Sequence, residues 1–357
     1  MSQPDDSHVT VSTDLFTVLR DVGPALVGQI DQLEMTRVDS ALAAMGHVAR
    51  YVVVGAGKPG PKGLLPIYPV GQPYAVAPHP RLVLDGSEAT RGWRTGCYLG
   101  SLGRAPAMAA VSPAAESGPV RAALLRTGWK LVTEQSERLD FACFPLLDDD
   151  LLAAVLPLVA ADDPVLVESN EAFIPVSFDS FAGYLTAQSS SRREMIRKEQ
   201  RRFRAAGLRV VEVDLSAWHG RLAPLLRNVE LKYGVAGTVQ DYENYLASIA
   251  QTLGDQATCL AVFGDDDPDR GDPVAFTIVW RQDKMWRVRC WGCDYERTAG
   301  TYSYFNLVVY EPLRLAIEAG AQRLILGRGS LEAKLARGAE LLRLTSVAVP
   351  LGTMSTR

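Results

Sequence analysis

The chain has 357 residues, enough for two domains of ordinary size. A formal charge of −4 and a pI near 5.7 exclude a globally basic nucleic-acid binder, so any such surface must be local. No run of eighteen apolar residues is present, which excludes a hydrophobic membrane span.

The start, MSQPDDSHVT, is acidic and polar, unlike a secretory signal, and residues 1–12 are expected to be a disordered tail. Leu15 to Ile30 reads as helical with a break at Gly23-Pro24, and Leu33 to Met45 reads as a second helix. Tyr51 to Val54 and Gly63 to Val70 read as strands joined by GAGKPGPKG. That linker lacks the Lys-Ser/Thr of a phosphate loop and reads as a hairpin turn. Pro and Gly are dense from Pro59 to Pro119. A helix is expected at Val120 to Gly128, a strand at Arg138 to Pro145 and a helix at Leu151 to Val159.

The segment 189–207, SSSRREMIRKEQRRFRAAG, reads as a basic helix over 191–206, capped by Ser191. Arg192, Arg193, Arg197, Lys198, Arg201, Arg202 and Arg204 stand against two acids, Glu194 and Glu199. Ile196 and Phe203 form a narrow apolar stripe that docks the helix and leaves the arginines outward. Such a face is either solvated and ion-paired or an electrostatic contact for phosphates of RNA or of a nucleotide.

Beyond it, Leu208 to Val213 reads as a strand, followed by helices near Leu222 to Tyr233 and Asp241 to Leu253. Three strands follow, Ala257 to Phe263, Val274 to Arg281 and Met285 to Cys293, the first two joined by the acidic DDDPDRGD. Period-two alternation sets Trp286, Val288, Cys290 and Gly292 on one side of the third strand and Arg287, Arg289, Trp291 and Cys293 on the other. The second side suits one wall of a polar cleft. Five cysteines without regular spacing suggest free thiols in a reducing cytoplasm, and four histidines without a ligand pattern imply no metal site.

The stretch from Thr301 to Leu342 is the most informative. Ser303 is positioned to cap a helix whose buried face is Phe305, Val308, Val309, Leu313, Ala316 and Ile317. Pro312 should kink or split that helix, and Gly320 should end it. Leu324 to Leu326 reads as a buried strand, Gly327-Arg328-Gly329 as a tight turn, and Ser330 to Leu341 as a helix carrying Lys334. A last strand is expected at Thr345 to Val349. A strand–turn–helix of this kind places Arg328 and Lys334 near the carboxyl end of a sheet strand, where α/β folds build sites.

The order strand-helix-helix-three strands-helix-strand-helix-strand resembles the GNAT acyltransferase fold. Together with RREMIRKEQRRFRAAGL, YFNLVVYEPLRLAIEAG and LILGRGSLEAKLARGAELL, it resembles the FemABX-like branch of that superfamily over roughly Ser189 to Pro350. The resemblance implies an α/β chain of two tandem GNAT-like domains, each a mixed, mainly antiparallel sheet flanked by helices, the second better defined. The expected domains are 13–185 and 186–357, with 191–206 as a basic connecting helix.

The resemblance further implies an acyltransferase. Fem transferases move an amino acid from aminoacyl-tRNA to an amine, with a lysine after the fifth strand steadying negative charge in the transition state. Lys334 matches it, and Ala333 stands where the family often has an aromatic residue. Glu230 and Tyr233 are candidates to steer or deprotonate the nucleophile. Arg192, Arg193, Arg197, Arg201 and Arg328 are candidate donor contacts, and Arg287, Arg289, Trp291, Tyr304 and Asn306 candidate cleft residues.

Acyl-CoA-dependent relatives hold the pyrophosphate with Arg/Gln-x-x-Gly-x-Gly/Ala. Arg297 and Gly300 fit that spacing, whereas Tyr302 replaces the small last residue. The expected donor is aminoacyl-tRNA, with no tightly bound cofactor, and the expected acceptor is a small-molecule amine or hydroxylamine of a secondary metabolite or cell-wall precursor. Transfer from acetyl-CoA and an inert binding protein on the same scaffold remain the alternatives.

Overall fold

The computed structural model describes residues 9–22, 47–55, 63–70, 93–100, 110–111, 117–134, 139–234, 237–264, 271–282 and 284–351. In chain order the strands are β1 (Val9–Ser12), β2 (Arg50–Val54), β3 (Gly63–Val70), β4 (Gly96–Leu99), β5 (Ala110–Val111), β6 (Phe141–Leu147) and β7 (Val165–Pro175). They continue as β8 (Arg209–Val213), β9 (Ala257–Phe263), β10 (Ala275–Gln282), β11 (Met285–Cys293), β12 (Arg323–Gly327) and β13 (Glu340–Pro350). The helices are α1 (Leu15–Val22), α2 (Ser117–Thr133), α3 (Asp149–Val159), α4 (Phe181–Ala187), α5 (Ser190–Ala205), α6 (Leu215–Lys232) and α7 (Val239–Leu253). After them come α8 (Ser303–Phe305), a π-helical turn at Asn306–Tyr310, α9 (Glu311–Glu318) and α10 (Leu331–Leu335).

Contacts divide the chain into two units, residues 1–170 with 343–357, and residues 171–342. The sequence places the domain boundary at 185/186, whereas this division falls at 170/171 and returns the chain's end to the first unit. Val9–Ser12, expected within a disordered tail, is a strand paired with β2. The expected helix at 33–45, most of the GAGKPGPKG turn and most of DDDPDRGD lie outside the described residues.

Both units repeat one strand order. In the first, β1, β2, β3 and β4 run antiparallel, β4 pairs parallel with β6, and β6 pairs antiparallel with β13. In the second, β8, β9, β10 and β11 run antiparallel, β11 pairs parallel with β12, and β12 pairs antiparallel with β7. A parallel step needs a crossover, and α2 and α9 supply it in the respective units. The first unit's core sets Val52, Leu65, Leu99, Phe144 and Val347 of the sheet against Leu124 of α2 and Val155 of α3.

In the second unit the element order from β8 to β13 is the one the sequence predicts. Leu324, Trp286 and Val279 form a core with Ile196 of α5 and Leu313 of α9. Gly292 admits close approach of α6 to β11, since a Cβ there would lie 2.6 Å from the Leu226 backbone nitrogen.

Three local expectations are corrected. Ser189, not Ser191, caps the basic helix, accepting from the Arg192 N–H. Ser303 is the first helical residue rather than the cap; its hydroxyl pairs with that of Thr301 at 2.7 Å, and Tyr302 precedes it in the left-handed region. The helix expected from Ser330 to Leu341 is only Leu331–Leu335, because the chain turns at Gly338 with φ +79° and enters β13. Pro312 acts as expected but by a particular route. The N–H of Glu311 bonds Asn306 O five residues back, so a π turn absorbs the missing donor and the ring before α9 proceeds.

Candidate active site

The site begins where β12 ends. Gly327, at φ +82°, turns the chain out of the sheet, and Arg328, Gly329 and Ser330 are exposed. The short helix α10 then folds Lys334 back under the strand it came from. Lys334 is 2% exposed, and its Nζ donates to Leu326 O at 2.6 Å and Gly327 O at 3.1 Å. Burial lowers its pKa from 10.5 to about 8, against a smaller opposing pull from Glu171. An ammonium has three N–H donors, so one remains beyond the two strand-end carbonyls.

Arg337, one turn further on, is 5% exposed and Glu199 of α5 is 3% exposed. The guanidinium holds both oxygens of Glu199, its Nε lying 3.1 Å from Oε2 and its NH2 bonding Oε1. Nε also reaches the Tyr310 hydroxyl at 3.1 Å, and that hydroxyl donates to Glu199. NH1 donates to Ala333 O at 2.5 Å, and the guanidinium lies over the Phe305 ring. Tyr184 closes the set by donating to Arg337 O at 2.6 Å. Burial pushes the Tyr184 and Tyr310 phenols well above their ordinary value, so both remain donors.

Glu199 shares the docking stripe of α5 with Ile196 and Phe203, and the opposite face is basic. Arg192, Arg197, Lys198, Arg202 and Arg204 are exposed. Arg201 pairs with Glu194 at 2.6 Å, and Arg193 NH1 caps the carbonyls of Gln188 at 2.6 Å and Thr186 at 3.2 Å. Of the expected donor contacts on α5, Arg193 and Arg201 are thus engaged locally, and Arg192 and Arg197 point their charge outward.

The expected polar wall on β11 is not formed as alternation predicts. The register slips at Arg289: Val288 pairs with Val279 and Cys290 with the adjacent Ile278. Val288 and Cys290 therefore face opposite sides, and Arg287 no longer shares a face with Trp291. Arg287 is buried against Glu171 at 2.7 Å, with Nε and NH2 lacking hydrogen-bond partners among the described residues. Glu171 thus faces both Arg287 and Lys334. Arg289 is also buried, its guanidinium 5.9 Å from the Trp280 ring centre.

Trp291 instead meets Tyr304 edge to face at 5.0 Å, and Tyr304 meets Phe305 at 5.2 Å. Burial and nearby Tyr233 raise the Tyr304 phenol to about 12, against a hydrogen bond from Ser330 at the entrance of α10. Tyr233 itself is 70% exposed. Glu230 is near Tyr242 of α7 and contributes to raising that phenol, after burial. Asn306 is buried, its amide donating to Tyr302 O at 3.0 Å, so it shapes the π turn.

In the turn before α8, Asp294 accepts from the backbone of Glu296 and Arg297, and Arg297 is exposed. Gly300 has φ +71° with open space at its Cβ position, while Tyr302 holds φ +60°, a conformation glycine takes without cost.

Among the expected residues the structure brings together Tyr304, Trp291 and Tyr233, while Lys334 lies under the end of β12 near Glu171. The structure adds Glu171, Glu199, Tyr310 and Arg337. Glu199 had a visible signal: an acid at the middle, i+3 position of the i, i+3, i+7 row defined by Ile196 and Phe203 must be buried with it.

Solved structures match this fold at low identity. FemX aligns with 13% identity over 90% of this chain and 94% of its own, at a TM-score of 0.56. A conserved protein of unknown function from Bacteroides thetaiotaomicron aligns with 13% identity over 84% and 86%, at 0.51. No curated protein matches by sequence. The two units, each repeating one strand order, share the fold of FemX. Residues 167–349, the whole second unit and its flanks, match the FemAB-like family, described as peptidoglycan biosynthesis/recognition, and the chain belongs to that family.

Proposed function

We propose that the chain is an aminoacyl-tRNA-dependent aminoacyltransferase acting in the cytoplasm on an amine or hydroxylamine of a small acceptor, a cell-wall precursor or secondary metabolite. The observation that carries this reading is the exposed basic face of α5 on a helix whose buried face is bonded to the segment bearing Lys334. A row of outward arginines suits a phosphate backbone, and membership of a peptidoglycan-related family supports an amine acceptor.

In this reading the acceptor nitrogen attacks the ester carbonyl of the donor. A C–N bond forms, the ester C–O bond breaks through a tetrahedral intermediate, and the RNA 3′ oxygen leaves. The third N–H of Lys334 stabilises the oxyanion, and Tyr233 and Glu230 serve the proton leaving the nitrogen. Arg192, Arg197, Arg201 and Arg328 hold donor phosphates, with Arg201 weakened by its Glu194 partner. Tyr304 and Trp291 line the acceptor side.

The acyl-CoA alternative rests on Arg297 and the open approach at Gly300, and is opposed by a left-handed tyrosine at 302. The test is incubation of the full chain with a mixed aminoacyl-tRNA pool, or with acetyl-CoA, and a panel of small amines, with products read by mass spectrometry. Amide formation from the RNA pool alone supports the proposal; formation from acetyl-CoA alone overturns it.

A further inference from the structure

We infer that Arg337 is a positioning residue: with Glu199 it ties the basic helix α5 to the turn carrying Lys334, so that a polyanion held on α5 and the ammonium at the reacting centre belong to one rigid piece. The inference rests on the reading above for its polyanion, while the tie is a feature of the free protein.

Three observations carry it. First, α10 has five residues, too few to hold its own shape in water, so tertiary bonds must set where Lys334 stands. Second, Arg337 links the segment's local bonds to partners outside it, Tyr184 and Glu199. Its backbone N–H donates to Lys334 O at 2.9 Å, its NH1 to Ala333 O, and its carbonyl accepts from Tyr184. Third, the guanidinium is spent inside the protein, on Glu199, Tyr310 and Ala333, with Phe305 beneath it. With each of its three nitrogens bonded inside the protein and the residue 5% exposed, Arg337 is committed to Glu199 and its own turn, which separates positioning from catalysis. A planar fork across both oxygens of Glu199 also fixes distance and angle, as a lysine there would not.

The consequence falls on Lys334. The groups facing it are the Leu326 and Gly327 carbonyls of β12 and Glu171 of β7, with Arg287 of β11 behind Glu171. Glu332 and Arg337 share its own segment. If the tie is cut, α10 loosens, water reaches the ammonium, and its titration moves up toward the ordinary lysine value. Simple removal of the negative charge of Glu199 would move it down, so the direction distinguishes the two.

The experiment uses the full chain with 13C-labelled lysine and follows Lys334 by NMR titration, assigned by its absence in Lys334→Met. Glu199→Gln and Arg337→Lys are compared with wild type, and Tyr310→Phe, which removes the two bonds of its hydroxyl and leaves the ion pair, serves as the mildest variant. An upward shift of at least one pH unit in Glu199→Gln or Arg337→Lys, and a smaller one in Tyr310→Phe, is expected. An unchanged or downward titration in the folded variants overturns the inference. In parallel, Arg337→Lys is expected to lower the single-turnover rate with aminoacyl-tRNA at least tenfold and to leave tRNA affinity within twofold; equal losses of both overturn it. The titration needs no donor. A wild type that binds no tRNA therefore defeats the functional reading, and the titration still decides the tie.

Discussion

Lys334 Nζ lies 2.6 Å from the carbonyl oxygen of Leu326, the last buried residue of the strand that leads into its own turn. The side chain thus closes a loop on the backbone that precedes it, and the ammonium is fixed before any substrate arrives. Preorganised donors of this kind reduce transfer rates by about 10²–10³ when removed. Lys334→Met, which keeps the stem's volume, is expected to cause a loss of that size in single-turnover transfer with tRNA affinity unchanged. Full activity in the folded variant would remove Lys334 from the reaction.

The pH dependence of the same residue has two opposite signs. The folded pKa of about 8 lies below the unfolded 10.5, so between these values the unfolded chain binds more protons and stability rises with pH. Below about 8 the cost of burying the charged form is present in full. Activity runs the other way, because the donor proton and positive charge are lost as pH rises through about 8. Denaturant midpoints at pH 7 and pH 9.5 should therefore rise for wild type relative to Lys334→Met, while the transfer rate falls over the same interval.

Glu199 and Arg337 form a buried pair, and removing one partner leaves the other charge uncompensated. Glu199→Ala is expected to destabilise the protein by about 3–5 kcal/mol in urea unfolding. Arg201→Ala, which frees only an exposed partner of Glu194, is expected to change it by less than about 1 kcal/mol. Equal effects of the two would mean that Glu199 is not held as described.

The second unit was legible in the sequence because its signals are local: alternating strands, a helical row ending at Gly320, and a basic run with a two-residue apolar stripe. The helix over 303–318 was legible down to its interruption at Pro312, though not the π turn that absorbs it. The strand face on β11 was misread because a bulge adds one residue without any compositional mark, and every side chain beyond Arg289 changes sides. Lys334 was singled out by a family pattern. Arg337 was not, because its partner Glu199 is 138 residues away and local charge pairing offers no such contact. The length of α10 was overestimated because Gly338 ends it for a tertiary reason. A Cβ there would come within 2.7 Å of the Gln188 side chain.

The central claim is that the donor is an RNA held on α5. The most direct measurement is binding of the purified chain to bulk tRNA and to acetyl-CoA in one low-salt buffer, repeated across a salt series with the double variant Arg192→Glu, Arg197→Glu. Binding of tRNA is expected to weaken steeply with salt, to fall at least tenfold in the variant with a shallower salt slope, and to have no acetyl-CoA counterpart. Micromolar acetyl-CoA binding that the variant leaves intact, with no tRNA binding, would contradict the claim.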